Sequence, residues 1–138
     1  MARILLIDDD TEVRTALSLI LNRFGHKVIE ARDGKEGMEL FLGANADVVI
    51  TDIVMPEKEG LEVLKEMRQM RPLVKVIAIS GGGRTNPTDY LRMAKFLGAV
   101  KVLAKPISIE VLISALSEIL PPPDGAPAQL QQTLVKPC

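Results

Sequence analysis

Four short apolar runs in this chain are each followed by polar residues, and the four sets are chemically complementary. The run at 4–7 leads into Asp8-Asp9-Asp10, and the run at 47–51 into Asp52. The run at 74–79 leads into Ser80-Gly81-Gly82-Gly83, and the run at 99–103 into Lys105-Pro106. Carboxylates gathered at one spot are hard oxygen ligands. They suit Mg2+, which keeps several of its waters and takes few ligands from protein. Without a cation such carboxylates repel one another, and one of them is driven toward its protonated form. An ammonium and a hydroxyl beside the metal would neutralise and hydrogen-bond a phosphoryl group. The chemistry that these residue types support together is phosphoryl transfer onto an aspartate.

Taken singly, each residue has a plainer explanation. Asp10, between a strand and a helix, is expected to be an N-cap favoured by the helix dipole. Asp52 could start a turn before Pro56, Ser80 could be a loop residue, and Lys105 a solvated one. Their conjunction at the ends of four separate strands is what points to a shared site. The stretch Gly81-Gly82-Gly83-Arg84-Thr85 lacks the G-K-[ST] ending of a nucleotide-binding loop and reads as an open loop beside that site. His26 precedes the second strand, away from the site edge, and is expected to be structural. Cys138, the last residue, is incidental.

The elements that position these residues follow from periodicity. Five apolar runs (4–7, 27–30, 47–51, 74–79 and 99–103) are rich in Val and Ile, and three lack strict alternation. Such runs belong to strands buried on both faces, as in parallel sheets. Each is followed by an amphipathic segment. The first carries Val13, Ala16, Leu17, Ile20, Leu21 and Phe24 and stops at Gly25. The second opens with Asp33 and Glu36 at capping-box spacing and presents Met38, Phe41 and Leu42. The third, from about Gly60 to Met70, carries Leu61, Leu64 and Met67 on one face, and Pro72 closes it. The fourth starts near Pro87 and shows Leu91, Ala94 and Leu97 before Gly98. The fifth takes Ser108 as N-cap and carries Val111, Leu112, Ala115, Leu116, Ile119 and Leu120. A (βα)5 chain of this kind makes one doubly wound parallel α/β sheet with helices on both faces. Function then collects beyond the carboxyl ends of the strands.

Composition narrows the classes. The chain has 138 residues, 47% of them hydrophobic and 25% charged, the balance of a soluble one-domain globule. Aromatics are only 3%, which disfavours base-stacking nucleic-acid modules. A formal net charge of −1 leaves no basic footprint for direct nucleic-acid or membrane binding. One Cys and one His exclude disulfides and Cys/His metal sites within the chain. No apolar run approaches a membrane span, and the first residues do not read as a signal peptide, so a cytoplasmic address is expected. The folded unit is expected over 1–120. Residues 121–138, opened by Pro121-Pro122-Pro123, read as a Pro-rich flexible tail.

Four segments carry a family resemblance. These are Ile4-Leu5-Leu6-Ile7-Asp8-Asp9-Asp10, Asp47-Val48-Val49-Ile50-Thr51-Asp52-Ile53-Val54-Met55-Pro56, Ile77-Ala78-Ile79-Ser80-Gly81 and Leu103-Ala104-Lys105-Pro106. In order and spacing the chain resembles the receiver domain of two-component response regulators, from about Ala2 to Leu120. The resemblance implies the flavodoxin-like strand order 2-1-3-4-5, the order the CheY fold exemplifies. It implies that Asp52 is the phosphoacceptor, taking its phosphoryl group from a sensor histidine kinase or a histidine phosphotransfer protein. It further implies Mg2+ held by Asp9, Asp52 and the Val54 carbonyl, with Asp8 acting directly or through water. Ser80 and Lys105 would bind phosphoryl oxygens, Gly81 would leave room for them, and the Lys105–Pro106 bond would be cis. Val102 stands at the switch position where receivers often carry Tyr or Phe. The stretch from Gly81 to Pro87 is a few residues longer than is usual, and Val54 and Gly82 bring no polar side chain to positions that tune dephosphorylation.

The expected function is therefore a stand-alone, phosphorylation-dependent signalling switch rather than an enzyme. It would act on an unnamed downstream protein through the fourth helix, fifth strand and fifth helix. The receiver half of a longer regulator, a pseudo-receiver that binds without being phosphorylated, and a homodimer remain compatible with the sequence. A metal phosphohydrolase would need a substrate pocket and a separate acid/base, and neither is apparent. A flavin carrier is disfavoured because the acidic first loop would repel a phosphate.

Overall fold

The computed structural model describes residues 2–53, 60–80, 92, 94, 95 and 97–120, apart from the side chains of 60, 61 and 80. Five strands form one sheet: β1 (Arg3–Ile7), β2 (Lys27–Ala31), β3 (Val48–Asp52), β4 (Lys75–Ser80) and β5 (Lys101–Ala104). Every pairing is parallel and the order is β2-β1-β3-β4-β5, as the sequence leads one to expect. Four helices are continuous among the described residues: α1 (Thr11–Arg23), α2 (Gly34–Ala44), α3 (Gly60–Met70) and α4 (Ile109–Ile119). Between β4 and β5, Arg92, Ala94 and Lys95 are helical, while Pro87 and Leu91 of the expected fourth helix lie outside the described residues. The tail at 121–138 lies outside them too.

The unbroken apolar runs are explained by two cores, one on each face of the sheet. Successive strand residues point to opposite faces, so Leu5, Ile7, Val49, Val76 and Ala78 pack with Phe41, Leu64, Met67 and Ala94. Their neighbours Ile4, Leu6, Val48, Ile50, Ile77 and Ile79 pack with Leu17 and Leu21 of α1 and Leu112 and Leu116 of α4. Each large apolar side chain removed from water contributes about 1.5–3 kcal/mol. With both faces covered, a one-residue slip of β1 or β3 gains nothing from alternation, and the turns and caps must set the register.

The caps do so at the site edge. Asp10 is the N-cap of α1, and its Oδ1 accepts from the Glu12 N–H at 3.0 Å and the Val13 N–H at 3.2 Å. Asp33 caps α2 by accepting from the Glu36 N–H at 2.8 Å. Glu36 returns a bond to the Arg32 N–H at 2.8 Å, one residue earlier than a standard capping box. Ser108 is the N-cap of α4. Gly25, at φ 88, ends the turn after α1 in a conformation that other residues adopt only with strain.

Helical stripes are wider in the sequence than in the structure. Ala16, Phe24, Leu42 and Val111 lie on the expected apolar faces yet are exposed. Ser18 and Val63, outside those stripes, are buried.

Candidate functional site

Strands β1 and β3 lie side by side at the centre of the sheet, so the residues that follow or end them meet at one edge. Asp52 is the last residue of β3 and Asp8 the first after β1, and both are buried. The Asp8 N–H donates to the Ala31 carbonyl at 3.1 Å, prolonging the β1–β2 ladder by one bond. Its Oδ1 accepts from the Asp10 N–H at 2.9 Å, closing a turn that also places Asp10 to cap α1. Its carbonyl accepts from Arg14 Nη1 at 2.7 Å. The Asp52 carbonyl accepts from the buried Thr51 hydroxyl at 2.9 Å, and the next residue, Ile53, donates its N–H to the Ile79 carbonyl at 3.0 Å. The end of β3 is thereby held against β4.

Lys105 enters from the far side, just beyond β5. Its Nζ donates to Asp52 Oδ2 at 2.8 Å and lies 3.1 Å from Asp8 Oδ2. The second contact is an ion pair without hydrogen-bond geometry. Asp8 Oδ2 is buried and finds no hydrogen-bond donor among the described residues. The Lys105–Pro106 bond is cis. Exposed Asp9 completes the group: one oxygen from each of Asp8, Asp9 and Asp52 lies within 4.8 Å of the other two.

The electrostatics follow from burial and charge. Burial pushes the Asp8 carboxyl above its ordinary value, against the Asp10 N–H and the Lys105 charge, and the neighbouring Asp52 adds to the push. Burial also acts to lower Lys105. The hydrogen bond and charge of Asp52, and then the charge of Asp8, outweigh it, so the ammonium is held above its ordinary range. Three carboxyl groups thus cluster beside one ammonium that pairs with two of them, and one buried carboxylate oxygen lacks a hydrogen-bond donor. An all-oxygen set of this kind is positioned to bind a metal and fits a hard divalent cation such as Mg2+.

Of the residues singled out in the sequence, Asp8, Asp9, Asp52 and Lys105 are brought together. Ser80 ends β4 in register with Ala104, which places its main chain at the same edge. Val102, on β5, is half-buried and packs against the core that includes Ala94. Val54 and Gly81 lie outside the described residues. Sequence reasoning missed Arg14, which reaches the Asp8 carbonyl while its Nε donates to Glu30 Oε1 at 3.2 Å. The available signal was an Arg one turn into the helix that follows the acidic turn. His26 is structural, its Nδ1 accepting from the Ala2 N–H at 3.2 Å.

Comparison with known proteins gives consistent matches. The model of the response regulator receiver domain matches residues 4–117. Sporulation initiation phosphotransferase F of Bacillus subtilis (strain 168) is 29% identical over 119 residues, 86% of this chain and 94% of its own length. Other relatives are longer, and the chain spans from 12% to 54% of their length. Among solved structures, a response regulator receiver domain protein from Clostridium thermocellum superposes with a TM-score of 0.80 at 32% identity. It covers 86% of this chain and 94% of that one. The response regulator protein TrrA from Thermotoga maritima, in complex with Mg(2+)-BeF, gives a TM-score of 0.76 at 29% identity, covering 87% and 100%.

Proposed function

This chain belongs to the response regulator receiver domain family, and from that premise we propose that it is a Mg2+-dependent switch phosphorylated on Asp52. The observation that carries the reading is the meeting of Asp8, Asp9, Asp52 and Lys105 at one sheet edge, with Asp8 Oδ2 buried and lacking a hydrogen-bond donor. An Asp52 carboxylate oxygen forms a bond to the phosphorus of a phosphohistidine on a sensor histidine kinase or phosphotransfer protein. The P–N bond breaks, and its electron pair leaves with the imidazole, which takes up a proton. Bound Mg2+ would supply charge neutralisation for the transferring phosphoryl oxygens.

The chain's own residues do the rest. Asp9, Asp52 and the Val54 carbonyl would hold the cation, with Asp8 acting directly or through water. Lys105 leaves Asp52 Oδ2 and pairs with a phosphoryl oxygen, the Ser80 hydroxyl bonds another, and Gly81 leaves room for the group. Val102 stands at the family's switch position and packs against the core of one sheet face. The signal passes to a downstream protein through the helical segment around Ala94, β5 and α4, where Val100, Ile109 and Val111 are exposed. The switch works in the cytoplasm, without direct contact to nucleic acid or membrane. Among the described residues no helix is long and apolar enough to cross a membrane.

A second reading, a receiver portion of a longer regulator, is favoured by the short share that the chain covers of many relatives. It leaves the chemistry unchanged. Incubation with acetyl phosphate, with Mg2+ or with EDTA, followed by intact-mass spectrometry tests the switch. One phosphoryl adduct that needs Mg2+ supports it. No adduct from acetyl phosphate or from any phosphohistidine donor would make the chain a binding module.

A further inference from the structure

We propose that Arg14 is a positioning residue for the acidic pocket, fixing the turn at 8–10 so that Asp8 and Asp9 present their oxygens to a cation. The inference rests on the metal-binding reading above and adds to it a residue from outside the carboxylate cluster. No disulfide or other cross-link holds that turn in shape, and its three aspartates repel one another. Three bonds oppose the repulsion: the Asp8 N–H to Ala31, the Asp10 N–H to Asp8 Oδ1, and Arg14 Nη1 to the Asp8 carbonyl. The third alone ties the turn to two elements at once. Arg14 stands on α1, and its Nε holds Glu30 on β2, the residue before Ala31.

The residue type fits that task. A guanidinium offers five donors in a rigid fork and can hold a carbonyl and a carboxylate together, which a lysine ammonium on a flexible stem does poorly. The Arg14 side chain is only 16% exposed, so its geometry is set by packing as well as by its partners. Glu30, at 44% exposed, closes the fork from the solvent side.

Charge and position predict opposite signs. A guanidinium beside the pocket repels an entering divalent cation, so through charge alone its removal would tighten Mg2+ binding. Through position its removal weakens binding, because the partners behind a metal ligand are worth about 10–100-fold in affinity. Arg14 holds the main chain of Asp8 rather than its carboxylate, so the lower end of that range applies.

The test is Mg2+ titration by isothermal calorimetry of wild type, Arg14→Met and Arg14→Lys at fixed ionic strength, with thermal melts in EDTA confirming that each is folded. Arg14→Met is expected to weaken Mg2+ about tenfold. Arg14→Lys, with the charge kept and the fork lost, is expected to weaken it as well, and it decides the matter if Arg14→Met does not fold. Equal or tighter binding by the folded variants would overturn the positioning role while leaving the site intact. A wild type that binds no Mg2+ would overturn the metal reading and this inference together.

Discussion

Lys105 Nζ sits between the carboxylates of Asp52 and Asp8, 2.8 Å from Oδ2 of the first and 3.1 Å from Oδ2 of the second. One ammonium therefore serves two buried acids at the ends of the adjacent strands β1 and β3. It is the internal counter-ion of the metal-free pocket, a competitor for the cation and, in the proposed switch, a partner of the phosphoryl group. A group with three roles ties stability to occupancy, and the first two predictions follow from that tie.

Asp8→Asn is expected to stabilise the metal-free protein. Burial disfavours the ionised carboxyl of Asp8, and Asn keeps an oxygen to accept from the Asp10 N–H. Relieving a functional site of this kind is worth about 0.5–2 kcal/mol. Urea denaturation in EDTA checks it. The same variant should gain less melting temperature from Mg2+ than wild type does, because the cation no longer relieves a repulsion.

Lys105→Met should act in the opposite direction. Removing one partner of a buried ion pair leaves uncompensated charge and costs about 3 kcal/mol. Mg2+ can replace that charge, so the loss measured in EDTA is expected to shrink on adding Mg2+. Paired melts with and without the ion check this, and an equal loss in both would mean that ammonium and cation do not share the site.

His26 gives a pH dependence remote from the pocket. Burial first, and the positive amino terminus second, lower its pKa from the ordinary 6.5, and its neutral Nδ1 accepts from the Ala2 N–H. The folded protein therefore takes up this proton less readily than the unfolded chain. The stabilisation is complete above 6.5 and is lost as pH falls through the folded-state value. Urea midpoints at about pH 7.5 and about pH 5.5 should differ less in His26→Gln than in wild type.

Two glycines on α2 predict opposite outcomes for one substitution. A Cβ at Gly37 would meet the buried Ile7 side chain, with Cγ1 at 2.9 Å and Cδ1 closer still. Overpacking costs about 1–3 kcal/mol, of which about 1 kcal/mol returns through helix propensity, so Gly37→Ala should destabilise. A Cβ at Gly43 meets nothing within 4 Å. Gly43→Ala should stabilise by about 0.5–1 kcal/mol. Denaturation midpoints of the two variants give the comparison.

The sheet was legible because its central strands are apolar on both faces and alternate with amphipathic helical segments, the combination that a covered parallel sheet requires. Asp8, Asp52 and Lys105 were legible because each follows or ends such a run, and Asp10 because an acid between strand and helix has a capping duty. Arg14 was not. Its partners lie 6 and 16 residues away, and one of them is a main-chain carbonyl, to which no residue type corresponds. Phe24, Leu42 and Val111 share the helical period of the core yet sit at the margins of their helices' contacts, which periodicity alone does not resolve.

The central claim is that Asp52 carries the phosphoryl group, and chemical trapping reads it most directly. Protein treated with acetyl phosphate and Mg2+ is reduced with borohydride, which converts an aspartyl phosphate to homoserine, and the peptides are mapped by mass spectrometry. The conversion should fall on Asp52 alone, vanish in EDTA and be absent from Asp52→Asn. Conversion at Asp8 or Asp9 in place of Asp52, or an unchanged yield in Asp52→Asn, would contradict the account.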